Sequence, residues 1–415
     1  MSSTSRSGRL ALLGGEPVHT GGWPSWPIHD EREREAVLGV LESGKWWYGD
    51  RVRQFEEKFA AFQDAKFGIT CTSGTAALEL ALIGAGIGAG QEVIVPPYTF
   101  VATATAVLKA NAVPIFVDIE LDTLNLDAEQ VEAAITEKTA AIMPVHFAGL
   151  PADMDRILAI ARKHRLRVIE DAAHAWGTQW RGKGCGALGD AGGFSFQASK
   201  NITAGEGGIV LTDNPELADT VRSLSNVGRG KDKPWYEHYL TGGNYRMTEF
   251  HGALLLAQLT RLAEQTERRA RNAAILNQGL AGIEGLRTLR EEPRATRRSY
   301  HLYGMRLIAS EFGCSRDRFV EAFRAEGITC GPGYPHPLYR NPLFQRSGTG
   351  PTYCPVSCPF YAKAVDYTKV CCPNAEQACQ EIIWLYQAML LGSEEDMDDI
   401  VAAARKIREH AKELA

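Results

Sequence analysis

The 415-residue sequence predicts an α/β fold: a large domain on a mostly parallel sheet with helices on both faces, then a smaller α+β domain. Three observations carry this. Apolar strand-like runs alternate with amphipathic helical patterns over most of the first 225 residues. A glycine turn opens an apolar helix at 70–82, and a lysine stands among glycines and buried-type residues at 193–208. The length suits one large core plus a second, smaller one. The boundaries read as an N-terminal arm and helix at 1–50, a large domain at 51–265 and a small domain at 266–415.

In chain order, residues 1–25 are polar and glycine-rich, which predicts a mobile or draping arm. Asp30 caps a helix through about Glu42 that Gly44 ends. Lys45-Trp46-Trp47-Tyr48-Gly49 follows, and its aromatics serve equally as core or as pocket wall. Phe55, Phe59 and Phe62 have helical spacing over 53–63. Strands are then expected at Glu92–Pro96, Pro114–Asp118, Ala140–Val145 and Arg167–Glu170. Helices are expected between them at Phe100–Leu108, Asp127–Ile135 and Met154–His164. After the strand Ile209–Thr212, a helix from about Pro215 leads to the basic loop Asn226–Gly230. A long helix from Thr248 to about Leu280 joins the domains. Tyr300–Ile308 alternates like a strand, Arg316–Glu326 reads as a helix and Ser393–Glu413 as a terminal helix. The sequence shows no internal repeat.

The chemistry starts at Lys200, in Gly193-Gly-Phe-Ser-Phe-Gln-Ala-Ser-Lys200-Asn-Ile-Thr-Ala-Gly-Glu-Gly-Gly208. A lysine in a water-poor pocket loses part of its basicity and becomes a nucleophile toward an aldehyde. A Schiff base with pyridoxal 5'-phosphate (PLP) is the obvious use, and it needs an anion opposite the ring nitrogen and a phosphate cradle. Arg167-Val-Ile-Glu-Asp171-Ala-Ala-His174 delivers Asp171 at the C-terminal end of a strand, where ligands of open α/β sheets bind. Thr70-Cys-Thr-Ser73-Gly74-Thr75 opens a helix whose free amides suit a phosphate, with Ser195 supplying a further hydroxyl.

Together these segments resemble the DegT/DnrJ/EryC1/StrS family of sugar aminotransferases, within fold type I of the PLP-dependent enzymes. The likeness runs from about Trp26 to the C-terminus. It implies that His174 sits by the cofactor's phenolic oxygen and that Phe100 stacks on its ring, with Tyr98 the alternative. It also implies a homodimer with shared sites, in which the partner's Asn244, or else Arg246, completes the phosphate contacts. The nearest look is that of cyclitol (scyllo-inosose) aminotransferases. The expected reaction moves an amino group from glutamine or glutamate to a keto-sugar or keto-cyclitol.

For substrate, Trp47, Tyr48, His146, Arg229, His301, Tyr334 and His336 are the candidate contacts. Imidazoles and phenols bond hydroxyls, aromatic faces cover sugar C–H surface, and Arg229 or Lys45 suits a donor carboxylate. Two other readings stay open: an aromatising enzyme like the amino-hydroxybenzoate synthases, and a non-catalytic regulator on the same fold. The intact Lys200, Asp171 and Ser195 set argues against the regulator. Net charge −5 with 45% apolar and 23% charged residues argues against a nucleic-acid platform. Leu10–Leu13 is too short a run for a signal or a span, so a cytoplasmic protein is expected. Nine cysteines do not read as a disulfide framework. Cys354, Cys358, Cys371, Cys372 and Cys379 lack zinc-ribbon spacing, so no metal is expected.

Overall fold

A computed structural model of the chain describes residues 8–345, 355–356, 358–363 and 365–414. The first helix, α1 (Glu31–Ser43), begins with a reciprocal cap. The Asp30 carboxylate accepts the Arg32 amide and the Glu33 carboxylate accepts the Asp30 amide, each at 2.9 Å, and Gly44 ends the helix at φ 64°. In α2 (Asp50–Phe62) the inward ridge of Phe55 and Phe59 meets Phe196 edge-on.

The central sheet takes seven strands in the order β1-β9-β8-β5-β4-β2-β3. They are β1 (Phe67–Cys71), β2 (Glu92–Val95), β3 (Val113–Phe116), β4 (Thr139–Ile142), β5 (Arg167–Asp171), β8 (Ala191–Ser195) and β9 (Gly208–Thr212). Only β9 runs against the rest, so the sheet is mostly parallel. Its crossover helices are α3 (Gly74–Gly84), α4 (Ala102–Lys109), α5 (Ala128–Ala133) and α6 (Met154–His164), and α7 (Pro215–Ser225) follows β9. The strands are buried nearly end to end, as a sheet covered on both faces requires. A small ribbon of β6 (Gln179–Trp180), β7 (Lys183–Gly184) and β11 (Ala295–Arg297) borders it.

The 32-residue helix α8 (Glu249–Leu280) starts at Thr248, whose hydroxyl accepts the His251 amide, and leads to an antiparallel sheet. Its strands, in spatial order, are β10 (Leu286–Thr288), β12 (Leu302–Leu307), β14 (Ile382–Tyr386) and β13 (Cys330–Gly331). Short α9 (Ala309–Phe312), α10 (Arg316–Ala325), α11 (Pro342–Gln345), α12 (Pro373–Glu381) and the terminal α13 (Glu394–Glu409) complete the chain.

Of the mobile and draping readings of the arm, the structure shows the draping one from residue 8 onward. Leu10 and Val18 are buried in the apolar cluster of the second sheet. Buried Glu326 accepts the amides of Ala11 at 2.9 Å and Val18 at 3.0 Å and pairs with Lys406 at 2.9 Å. The arm drapes because this buried ion pair also binds its backbone: Glu326 accepts the Ala11 and Val18 amides and Lys406 donates to the Glu16 carbonyl. No helix among the described residues is long and apolar enough to cross a membrane.

Candidate active site

The C-terminal ends of β5 and β8, the start of α3 and the end of β14 enclose a cavity of about 710 Å³. Of the residues singled out from the sequence, it brings together Ser73, Gly74, Thr75, Phe100, Asp171, His174, Ser195, Lys200, His301 and Tyr334.

Asp171 ends β5, and its Oδ2 accepts the Thr103 hydroxyl at 2.7 Å while Oδ1 accepts the Ala173 amide at 3.2 Å. Thr103 must donate that proton, so it accepts from Thr99, 3.0 Å away. Burial raises the Asp171 pKa against these hydrogen bonds and the charge of Lys200. Lys200 follows β8 in a turn closed by its own amide on the Gln197 carbonyl at 2.9 Å. Its surface is partly open to the cavity, yet burial pulls its amine down to about 8, with Asp171 opposing the shift. His174 accepts the Ala148 amide on Nδ1 at 3.3 Å, which leaves the proton of the neutral ring on Nε2. The His301 ring lies 4.2 Å from that of His174 and meets the Asn201 carbonyl oxygen through Nδ1 at 2.9 Å. Burial depresses both imidazoles, helped for His174 by Lys200 and for His301 by His174.

Ser73 caps α3 by accepting the Ala76 amide at 3.2 Å, and Ser195 at the end of β8 lies against the same turn. A Cβ on Gly74 would stand 2.6 Å from Ser195 Cβ, so only glycine lets the helix start so close to the strand. Phe100, 60% exposed, overhangs the rim just before α4. Tyr98 lies beneath it, fully buried against Phe147 and Tyr334.

Other expected contacts lie elsewhere. His146 is enclosed behind the sheet: its Nε2 meets Glu170 at 2.8 Å and its Nδ1 accepts the Ala152 amide. Glu170 also gathers the amides of Gly186, Leu188 and Gly189 at 2.6–2.7 Å. With Cys185 these two form the one group of possible metal ligands among the described residues, and hydrogen bonds within the core account for His146 and Glu170. Cys354 lies outside the described residues. Tyr48 donates to Glu56 at 3.0 Å and accepts from Arg222, so it locks α2 rather than lining the cavity. His336 does not reach the cavity. Trp47 and Arg229 also stand outside their own chain's cavity, in one patch with Asn244 and Arg246. Arg246 donates to Asn226 at 3.0 Å and covers the Trp47 ring, Arg229 covers Trp235, and Asn226 bridges to Asn244.

The sequence reading missed Thr99 and Thr103, whose one-turn spacing beside Phe100 was a usable signal. It also missed Trp26, Trp384, Tyr386 and Gln387, which reach the cavity from the arm and from the end of β14. No local signal marks them.

The family model for DegT/DnrJ/EryC1/StrS aminotransferases matches residues 27–359. The chain belongs to the DegT/DnrJ/EryC1/StrS aminotransferase family. An L-glutamine:2-deoxy-scyllo-inosose aminotransferase of Streptomyces paromomycinus is 39% identical over 419 residues, covering 97% of this chain and 98% of the relative. A 3-amino-5-hydroxybenzoate synthase of Amycolatopsis mediterranei (strain S699) is 37% identical over 382 residues, covering 90% and 94%. The crystal structure of a 3-amino-5-hydroxybenzoic acid synthase superposes with TM-score 0.84 at 35% identity, covering 94% of this chain and 99% of that one. The architecture of this DegT-family chain is fold type I of the PLP-dependent transferases.

Proposed function

We propose that this aminotransferase uses PLP to move an amino group from glutamine to a keto-cyclitol, with Lys200 and Asp171 as its central groups. The observation that carries the reading is one cavity holding a lysine of lowered basicity, a buried carboxylate and a glycine-tight helix start. The residues present fit the cofactor. The first amides of α3, at Gly74 and Thr75, have no carbonyl of their own helix to bond, and with Ser73 and Ser195 they suit a phosphate. A raised Asp171 asks for a cation beside it, which a protonated ring nitrogen would be. Phe100 would cover a ring face, and His174 Nε2–H would donate to a phenolic oxygen.

When bound, PLP supplies an aldehyde that carries the amino group and a ring that takes up the electrons left on the donor carbon. Lys200 Nζ, in part neutral near pH 7, would take the proton from the donor α-carbon and deliver it nearby. Asp171 would hold the ring-nitrogen proton, and the Thr99–Thr103 hydroxyls would keep its carboxylate oriented. The amino-acid donor and the ketone acceptor become a keto acid and an amine, so the reaction balances without an oxidant.

The cyclitol acceptor rests on the substrate in the name of the Streptomyces relative and on a cavity wall rich in rings, Tyr334, Trp384 and His301. The aromatising synthase is the second reading, favoured by the Amycolatopsis relative and the superposed structure. The three-part division at residues 50 and 265 belongs to the proposal, as does a cytoplasmic homodimer. The free thiols of Cys71, Cys185, Cys314, Cys330, Cys372 and Cys379 suit a reducing compartment. The exposed Trp46, Trp47, Trp235 and Tyr236, beside Asn244 and Arg246, suit burial by a second copy.

The test has two stages. Glutamine should bleach the near-visible band of the loaded enzyme, and keto-inositols should restore it far faster than deoxygenated cyclohexanones or branched keto acids do. Site hydrogen bonds to hydroxyls give ratios up to about 10⁴. Equal rate constants across those ketones would remove the cyclitol assignment, and an aromatic product would establish the synthase instead.

A further inference from the structure

The long helix α8 buries two arginines two turns apart. Arg261 is matched, its guanidinium meeting Glu33 at 2.6 Å. Arg269 is 0% exposed and has no carboxylate in ion-pair range among the described residues. Burial alone acts on it, pushing its pKa down to about 9, and its Nη1 has no hydrogen-bond partner among the described residues. A buried, unmatched cation is costly, so its presence calls for an anion nearby in the working protein.

What Arg269 does touch is the wall of the cavity. Its Nε donates to the Gln387 carbonyl at 3.2 Å, its Nη2 donates to Gln387 Oε1, and its guanidinium lies 5.7 Å from the Trp26 ring centroid. Both Gln387 and Trp26 line the cavity. An arginine only donates, so the Gln387 atom facing it is the oxygen. The amide nitrogen is thereby turned away from Arg269, and it has no protein acceptor among the described residues. Gln387 therefore presents two polarised N–H donors backed by a positive charge, in the same cavity as Lys200.

We propose that Gln387, positioned by Arg269, is the seat of the α-carboxylate of the amino-acid donor. This rests on the aminotransferase reading of the same cavity. The relay accounts for a fully buried arginine doing the work of a charge without touching its ligand: the guanidinium sets the field and the carboxamide makes the hydrogen bonds. A neutral acceptor has no charge to place there, so the seat reads the donor and not the acceptor.

The test uses PLP-loaded enzyme and two unreactive probes, glutaramate, which is glutamine without its amino group, and the uncharged glutaramide. Calorimetry should show glutaramate bound and glutaramide bound at least about tenfold more weakly. Gln387→Leu should weaken glutaramate about tenfold or more while leaving glutaramide nearly unchanged. Gln387→Glu, which would pair with Arg269 and present an anion, should abolish glutaramate binding. Arg269→Met should act like Gln387→Leu if its melting curve shows a folded protein, and the Gln387 pair decides the matter if it does not. The KM for glutamine should rise in Gln387→Leu with kcat less affected. Equal binding of the two probes by the native enzyme, or unchanged glutaramate affinity in Gln387→Leu, would overturn the assignment. An enzyme that binds glutaramate in this pattern but never reacts with glutamine would refute the aminotransferase reading and leave the carboxylate seat standing.

Discussion

Lys200 and Asp171 pull each other's protonation in opposite directions to their burial, and burial wins at both. For Lys200 the consequence is testable. Its amine falls from 10.5 to about 8, so the neutral, nucleophilic fraction grows as pH rises toward 8 and levels above it. The rate at which apo-enzyme acquires the near-visible lysine-linked band should climb about tenfold per pH unit below 8 and flatten beyond. Lys200→Ala should fold and never show that band. A pH-independent loading rate would remove Lys200 from the role. At the same scale, His146 shows why a residue that looks right can be wrong. Side chains alternate across a strand, so Val145 and Asp171 point into the cavity while His146 and Glu170 point to the other face and find each other. Residue types alone do not say which face is which.

Elements were legible where their ends carry local chemistry. Asp30, Asp127, Asp153, Asn214, Thr248 and Ser393 all cap helices through their own side chains, and such caps need no tertiary partner. Short pieces were not: β14 follows α12 without a turn, and β6, β7 and β11 are two or three residues each. The start of α3 ties element to site. Gly74→Ala would force Cβ against Ser195, so the strand end or the helix start must shift. The variant should stay folded but hold PLP about tenfold less tightly, as over-packing by about 1–3 kcal/mol implies, read as faster release of cofactor on dilution. Unaltered retention would show that the α3 start is not the cradle.

At the scale of the whole molecule, the patch of Asn226, Arg229, Asn244 and Arg246 stands outside the cavity of its own chain. If it completes the partner's site, a closed two-fold dimer puts Lys200 of one subunit with Asn244 of the other. Mixed Lys200→Ala and Asn244→Ala subunits would then carry one intact site in each hybrid dimer. Random exchange should restore about a quarter of native turnover, because about half the dimers are hybrids with one good site of two. No recovery after verified exchange would reject the shared site. The arm belongs to this scale too, since Glu326 and Lys406 lie over 300 residues from the backbone groups they bind.

The family, the fold class, the helix limits and the lysine, carboxylate and glycine turn that meet in the cavity were determined by the sequence itself. Each rests on short-range order: caps, alternation, and motifs whose spacing places a lysine, a carboxylate and a glycine turn at the ends of neighbouring strands. Only the tertiary structure decided which of the equally suitable polar residues reach the cavity. His301 and Tyr334 do, His146, Tyr48 and His336 do not, and Trp26, Trp384 and Gln387 enter unannounced. The reason is that the far wall is assembled from the arm and the end of β14, segments over 350 residues apart. Their meeting is set by the burial of two apolar faces against each other and leaves no periodic trace in any one of them.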